Sequence, residues 1–340
     1  MKISTQAHGV IRQPAAAVGL ALVLTLPWDV AGAATPGLSA LEAAARKEGA
    51  VTYYSAQTAA VNDTLVKAMK ERFGIAVTVY NAPTTALKIR AQTEIDAGKL
   101  QADMIGLGEH MIYNLNDKAF ASIADLPRYA GFPEKFKAPK YVVTSIQPAV
   151  LVVNTNKVKK GEITKWTDMA NPKWKGQIAM LGINSSISIS SMYVDLAKRH
   201  GDDFMRRLGA LRPNFQSSSA PTVQLVAAGE AALSLPISVS VLPALEKAGA
   251  PIATVDAGQV TGAQITNGIS ASAARPNAAR FMLNFMISPE GQAIQNGNRL
   301  GGSPLPNIAG TYPVPKDYTP PNEAVSRQEI ARVRELLGSP

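Results

Sequence analysis

The chain contains no cysteine, and this absence excludes several kinds of chemistry at once. Without thiolates the protein cannot use a cysteine nucleophile, carry an iron–sulfur cluster or bind zinc through sulfur. Histidine is nearly as scarce, since only His110 and His200 lie beyond the first 33 residues. The motifs G-x-S-x-G, the phosphate-binding P-loop and H-E-x-x-H are missing as well. We therefore predict a protein that is not an enzyme and needs no cofactor, with a serine hydrolase built on His110 as the alternative.

Long apolar runs are also lacking, apart from one near the N-terminus. Residues 15–26 are almost wholly apolar, follow the basic residues Lys2 and Arg12, and precede the small-residue triplet at 31–33. The run is shorter than the roughly 20 residues that a membrane-spanning helix needs. This layout predicts a secretory signal peptide over residues 1–33, cleaved before Ala34, and therefore a periplasmic protein. A buried N-terminal helix is the alternative. We expect the mature chain not to span a membrane.

Positive charge is in modest excess but is dispersed along the chain. The formal net charge is +9, and removal of residues 1–33 leaves 32 basic and 24 acidic residues, hence +8. No basic run interleaved with aromatic residues is present, so we predict no nucleic-acid binding. A diffuse positive field would help an anionic ligand to arrive.

Strand-like and helix-like segments alternate in the first half of the chain. Ser39 and Glu42 form a capping box that predicts a helix ending near Gly49. The order β-α-β-α-β indicates a mostly parallel sheet with right-handed crossovers. The predicted strands are 51–54, 75–80 and 102–107, and the later helices are 61–73, closed by Gly74, and 86–97.

A second α/β unit follows, and two β-prone stretches separate it from the first. The stretches 149–154 and 263–270 predict two crossings between domains, hence a hinge. We expect domain 1 to comprise residues 34–147 and 271–312, domain 2 to comprise 148–270, and 313–340 to form a C-terminal extension. In the second unit the predicted strands are 178–181, 231–235 and 252–255, and the predicted helices are 189–198 (ending at Gly201), 222–228 and 241–248. Three C-terminal helices are predicted. The first is 277–287, the second has Ser288 as its N-cap and Pro289 at its first position, and the third is 322–337.

Five segments, in order along the chain, carry a resemblance to a known family. They are 49–55 (GAVTYYS), 97–103 (AGKLQAD), 152–158 (VVNTNKV), 166–176 (WTDMANPKWKG) and 278–292, where A-x-x-F-x-x-x-F runs into S-P-E-G-Q. Together they resemble the family-1 extracellular solute-binding proteins of ABC transporters, the group that includes ferric-ion, thiamine and phosphonate binders. We interpret the W-x-D segment as structural, with packed tryptophans and an Asn-Pro turn.

The resemblance implies a fold, a partner and a mode of action. The implied fold is the α/β type II periplasmic binding fold, with two domains that close over a ligand about two hinge crossings. The implied role is the capture of a small polar solute for an inner-membrane ABC permease. We expect a monomer that binds an anionic organic solute, because the candidate loops are rich in hydroxyl groups and the net charge is positive.

The candidate site lies in the loops that follow the predicted strands. In open α/β sheets, ligands bind outside the carboxyl ends of the strands. The segment 184–188 also leads into a helix, whose N–H groups could hold an oxyanion, although plain capping by the serines is the alternative. The predicted ligand-binding residues are Ser55, Gln57, Thr84, Thr85, Glu109, His110, Asn184, Ser185, Ser186 and Ser238.

A ferric-ion site is the principal alternative, because ferric-ion binders belong to the family that the chain resembles. The resemblance implies two adjacent tyrosines in the loop after Gly229-Glu230 and the strand that follows, but that loop, 236–240, has none. Tyr53 and Tyr54 lie on one strand, where neighbouring side chains point to opposite faces, so we interpret them as structural. Glu109 and His110 alone offer too few ligands for a hard cation. We therefore predict no bound metal.

Overall fold

The computed structural model describes residues 36–258, 261–315, 318–322 and 324–340, except for the side chains of Pro36, Glu109 and His110. The predicted signal peptide and its cleavage point lie outside these residues. Within them, no helix is both long enough and apolar enough to cross a membrane.

The predicted β-α-β-α-β order of the first half is confirmed. The first strand in chain order, at 50–55, lies between the other two in the sheet and pairs in parallel with both. The first helix begins at Pro36, so the prediction that the capping box at Ser39 opens it was wrong. The elements are α1 (Pro36–Glu48), β1 (Ala50–Ser55), α2 (Ala59–Phe73), β2 (Ala76–Asn81), α3 (Thr84–Asp96) and β3 (Met104–Gly108).

Local chemistry explains where helix α2 lies and where it ends. Val61, Leu65 and Met69 recur at four-residue steps and are buried, so one face of the helix packs on the sheet. Gly74 follows with φ 71°, the left-handed conformation that glycine adopts at little cost, and its N–H caps the helix on the carbonyl of Lys70.

One long strand joins the two parts of the sheet. After the two-residue strand β4 (Lys137–Ala138), β5 (Tyr141–Asn154) is buried along its whole length. Its first part pairs antiparallel with β10 (Gly262–Ile269), which also pairs antiparallel with β3. Its second part pairs with strands of the second α/β unit. The path through the sheet runs β2-β1-β3-β10-β5 and continues into the second unit through β8 (Leu233–Ser238), β6 (Ile178–Leu181) and β7 (Asn214–Gln216). Strands β4 and β9 (Ile252–Val255) also pair with β5.

The second unit repeats the α/β pattern. Gly201 has φ 81° and interrupts α4 where the sequence predicted a stop, but helical backbone resumes up to Ala210. The elements are β6 (Ile178–Leu181), α4 (Ile187–Ala210), β7 (Asn214–Gln216), α5 (Ser219–Ala227), β8 (Leu233–Ser238), α6 (Leu242–Lys247) and β9 (Ile252–Val255).

Strand β8 extends three residues beyond its predicted end, so the prediction of a loop at 236–238 was wrong. Ser238 pairs with Ala149 and Ile237 with Val150, and the ladder shifts register next to Pro236. Proline donates no backbone hydrogen bond, but an irregular step in the ladder accommodates it. Pairing with a strand almost ninety residues away therefore overrides the turn signal of the proline.

Helices α7 (Pro276–Met286), α8 (Pro289–Gln295) and α9 (Arg327–Leu337) complete the described elements. One apolar core gathers Val150, Met180 and the helix α9 residues Val333 and Leu337, while a second gathers Tyr53 and Met282 with their neighbours. A third core gathers Tyr54 and Leu87 with their neighbours. The first core is formed by the second α/β unit with helix α9, and the other two belong to the first unit, so we retain the predicted two-domain division as a proposal. Strand β10, which covers most of the predicted second crossing, pairs with β3 and with the first part of β5.

The W-x-D…W-K-G segment packs as predicted. Trp166 and Trp174 are buried in the core of the second unit. Asn171 accepts a hydrogen bond from the N–H of Lys173 at the start of the Pro172–Trp174 turn. The Asp168 carboxylate accepts the N–H groups of Thr164 and Lys165, and these bonds lower its pKa. The motif thus stabilises a turn.

Candidate functional site

The loop between β1 and α2 is organised by buried polar side chains. The Ser55 hydroxyl donates to Asn62 Oδ1 at 2.7 Å and accepts the N–H of Gln57 at 3.2 Å. Asn81 donates to the carbonyls of both Ser55 and Gln57, each at 2.7 Å. Ser55 is fully buried, so its hydroxyl shapes the loop. Asn62 and Asn81, which the sequence prediction did not include, serve the same purpose.

The Gln57 side chain differs from its neighbours because part of it has no partner. It is only 5% exposed, and its Nε2 makes no hydrogen bond to any residue that the structure describes. The adjacent Thr58 Oγ1 is also buried and unpaired within the described chain. A buried donor without an acceptor costs about 1–3 kcal/mol. Such a cost is understandable where a ligand supplies the acceptor.

These two groups stand at the N-terminus of helix α2. Thr58 is the N-cap residue, yet its side chain caps none of the first backbone N–H groups. The end of a 15-residue helix therefore offers backbone donors and a partial positive charge next to the Gln57 amide. An amide, a hydroxyl and a helix N-terminus together suit an oxyanion.

The predicted residues of the next two loops have different environments. Thr84 and Thr85 begin α3, so the prediction that placed them in a loop was wrong, because Pro83 opens the helix two residues early. Thr84 Oγ1 accepts the N–H of Gly108 at 3.0 Å and joins the ends of β3 and α3. Thr85 is exposed. Glu109 and His110 begin a 3₁₀ helix, and their side chains lie outside the described part of the structure.

In the second unit, the Asn184–Ser186 loop leads into helix α4. The Ser186 hydroxyl accepts the N–H of Ile189 at 3.3 Å and lies 2.9 Å from the Ser188 hydroxyl. Ser186 is therefore the N-cap, the role that the sequence left as an alternative to ligand binding. Asn184 and Ser185 are exposed. The preceding N–H, of Ile183, donates to Ser339 Oγ at 3.1 Å, so the far C-terminus supports this loop.

Ser238 contacts a residue that sequence reasoning missed. Its hydroxyl lies 3.3 Å from Gln147 Oε1 and 3.0 Å from the Ser240 hydroxyl. Gln147 is buried in β5, and its Nε2 donates to Ser145 Oγ and to the carbonyl of Leu300. The signal was present in the sequence, since Thr144, Ser145 and Gln147 interrupt a strand that is mostly apolar.

The strand registers bring the ends of the two α/β units to one stretch of β5. Gly108 pairs with Ile265, which pairs with Ser145. Ser238 pairs with Ala149. Four residues of strand span about 13 Å. The structure thus places Thr84 and Ser238 toward the same short segment of β5, while Asn184 lies against helix α9.

Two further observations bear on what the site could hold. Among the described residues, no group of three or more His, Asp or Glu side chains is arranged for a metal ion. A cavity of about 550 Å³ beside β9 is lined by parts of 153–164 and 253–256, and none of the predicted ligand-binding residues borders it.

The tyrosine pair of β1 has internal partners on both faces. Tyr53 is buried and its hydroxyl donates to Asn267 at 2.8 Å, and burial raises its pKa to about 12. The Tyr54 hydroxyl contacts Glu94 and Arg90, and its pKa is raised by burial and by the Glu94 carboxylate. Both hydroxyls thus have hydrogen-bond partners within the protein, in agreement with a structural role for both side chains.

The fold and these strand-end loops define a class of protein. Two parallel α/β units share antiparallel strands at their junction, which is the arrangement of the two-domain periplasmic binding proteins. A family model described as bacterial extracellular solute-binding protein matches residues 105–326. The chain belongs to this family, and the resemblance seen in the sequence is confirmed.

Solved structures show the same fold at low sequence identity. The substrate-binding protein of an ABC transporter from Agrobacterium tumefaciens has a TM-score of 0.73 and 19% identity, covering 85% of this chain and 94% of that one. Iron-bound HitA from Pseudomonas aeruginosa has a TM-score of 0.63, 19% identity, and coverages of 85% and 97%. AfuA from Actinobacillus pleuropneumoniae, with fructose-6-phosphate bound, has a TM-score of 0.60, 17% identity and the same coverages. The last two hold different ligands on one fold, so the fold does not determine the ligand.

Proposed function

We propose that this protein captures a small anionic organic solute, such as a carboxylate or phosphate ester, and delivers it to an inner-membrane ABC permease. The unpaired, buried Gln57 amide at the N-terminus of helix α2 is the observation that carries the proposal. Thr58 Oγ1 and the backbone donors of the helix add to it. An anion at this position would accept hydrogen bonds that the described protein residues leave unmade.

The proposed ligand lies between the two α/β units and touches both. The first unit offers Gln57 and Thr84, and the second offers Ser186 and Ser238. A ligand that contacts both units stabilises the closed form by the contacts that the open form lacks. Family membership supports export from the cytoplasm, which the predicted signal peptide would direct. The permease would recognise the closed, loaded form, with the binding protein acting as a monomer.

The chemistry favours an organic anion over ferric ion. The loop after β8 contains no tyrosine, and the tyrosines of β1 are bonded internally with raised pKa values. HitA is iron-bound in its structure, so the ligand screen described below also tests iron as a competing ligand. A catalytic role has less support, because the family and fold are those of transport binding proteins.

A ligand screen tests this proposal. Protein purified from periplasm without denaturation should carry or bind an anion, which native mass spectrometry identifies by mass. Thermal unfolding should then shift upward with citrate or a sugar phosphate and stay unchanged with glucose. A ligand present at 100 times its Kd adds about 2.7 kcal/mol of stability. A stoichiometric, coloured iron complex, or a response to glucose alone, would contradict the proposal.

Ser186→Ala should weaken both binding and folding. Loss of the N-cap should lower the free energy of unfolding by about 0.5–2 kcal/mol. Loss of a hydroxyl contact to the ligand should weaken affinity by about 1 kcal/mol, or roughly fivefold. Ser288→Ala is the matched control, because Ser288 caps α8 through the N–H of Gly291 at 2.9 Å on the other α/β unit. The control should lose stability and keep affinity. If Ser186→Ala binds the ligand as tightly as Ser288→Ala does, then Ser186 acts only as a helix cap.

A further inference from the structure

The C-terminal helix α9 presents two arginines on one face beside the loop that precedes α4. Arg327, Ile330, Ala331 and Arg334 follow the spacing of a single helix face. Together with Asn184 they line a cavity of about 210 Å³. This cavity is distinct from the Gln57 site and was not anticipated from the sequence, because its two sides lie more than 140 residues apart.

The two arginines differ from the neighbouring charges because no carboxylate of the described residues pairs with them. On the same helix, Glu329 pairs with Lys198 at 2.7 Å and Arg332 pairs with Asp202. Within the described parts of the chain, neither Arg327 nor Arg334 is within ion-pair distance of an acidic group. Glu335 follows Arg334 directly, but successive residues point about 100° apart around a helix. The described residues that line the cavity therefore carry two positive charges and no negative charge.

The geometry of this pair suits a shared anion. Seven residues of helix separate the two Cα atoms by about 10.5 Å, so the long side chains can converge on one group from opposite ends. Guanidinium groups bind phosphate through paired N–H donors. Asn184 adds a side-chain amide, and the half-buried Ile330 lines the cavity between the arginines.

We infer that Arg327, Arg334 and Asn184 form a second binding site, for a phosphate group. The cavity is smaller than the roughly 300 Å³ at which pockets for larger organic ligands begin, so the bound group is small or is the end of a larger molecule. Inorganic phosphate, a phosphate ester and an anionic lipid headgroup all present this chemistry. A bound phosphate would connect helix α9 to the Asn184 loop, which Ser339 already supports through Ile183.

Titration of the full mature chain tests the inference and separates the sources. Inorganic phosphate is titrated calorimetrically, and vesicles of phosphatidylcholine with or without phosphatidylglycerol are tested by co-sedimentation. The wild-type protein should bind free phosphate, or the phosphatidylglycerol vesicles if the lipid headgroup is the ligand. Arg327→Gln with Arg334→Gln should weaken that binding at least tenfold, and binding should fall as salt rises.

Two control variants decide the outcome. Arg332→Gln removes one positive charge from the same helix, where the arginine is already paired with Asp202, and should keep wild-type affinity. Arg72→Gln removes a positive charge from the other α/β unit, where the arginine is paired with Glu290, and should also keep wild-type affinity. An equal loss in either control would indicate a general charge effect. That result, unchanged binding in the double arginine variant, or no binding by the wild type to phosphate and to both vesicles, would overturn the inference.

Discussion

Gln57→Leu should remove most ligand binding without destabilising the protein. Leucine has nearly the volume of glutamine but offers no hydrogen bond. If the amide donates to an anionic group of the ligand, its loss should cost about 1.5–3 kcal/mol, or roughly 10- to 150-fold in affinity. The free energy of unfolding should stay the same or rise by up to about 2 kcal/mol, because a buried unpaired donor disappears. Calorimetric titration with the anion identified by the ligand screen, together with urea unfolding, measures both quantities.

A second buried glutamine provides the matched control. Gln292 is fully buried, and its Nε2 donates to the carbonyls of Thr144 and Met286 at 3.0 and 2.7 Å. Its Oε1 accepts from Asn296 and Ser303. Gln292→Leu should therefore lower the free energy of unfolding by about 2–3 kcal/mol and keep the affinity of the folded protein. Unchanged affinity in Gln57→Leu, or a stability loss that equals the control, would exclude Gln57 from the ligand site.

Asp103→Ala should produce a large loss of stability with little effect on binding. The side chain is 1% exposed, and its carboxylate accepts the N–H of Thr52 at 2.8 Å and that of Arg275 at 3.0 Å. It also faces the Arg275 guanidinium at 3.3 Å. Removing it leaves two N–H groups without their acceptor and one cation without its partner. We expect a decrease of about 3–5 kcal/mol in the free energy of unfolding.

Two related variants test the reason for this loss. Asp103→Asn keeps the shape and one acceptor oxygen, so its loss should be intermediate, and it serves if the alanine variant does not fold. Asp125→Ala removes an exposed carboxylate that pairs with Arg280 at 2.7 Å, and should cost at most about 1 kcal/mol. If Asp103→Ala and Asp125→Ala lower the free energy of unfolding by similar amounts, the burial of Asp103 adds nothing to its contribution to stability.

Much of the fold could be predicted because its signals are local. The buried face of α2 depends on apolar spacing, and its end at Gly74 depends on the conformational freedom of one residue. The caps at Ser288 and Ser186 involve residues three positions apart. Interactions within one or two helical turns depend on neighbouring side chains, which a sequence displays directly.

Apart from the early starts of α1 and α3, the differences arose where distant segments meet. The end of β8 at Ser238 depends on its pairing with Ala149. Thr84 belongs to a helix, yet its hydroxyl is fixed by Gly108. Gln147 joins the site because β5 runs past the end of β8. Each of these contacts joins segments that are 24 or more residues apart, and neither segment carries a local mark of its partner.

The sequence by itself determined the α/β alternation, the absence of cysteine chemistry, the family resemblance and the polar loops that follow the strands. Only the tertiary structure decided which polar groups in those loops are already satisfied. Ser55 is bonded internally, Ser186 caps its helix, and Gln57 Nε2 has no partner among the residues that the structure describes. The physical reason is that a hydrogen bond is a relation between two groups in space. A sequence lists donors and acceptors, whereas folding decides which of them are paired and which stay available to a ligand.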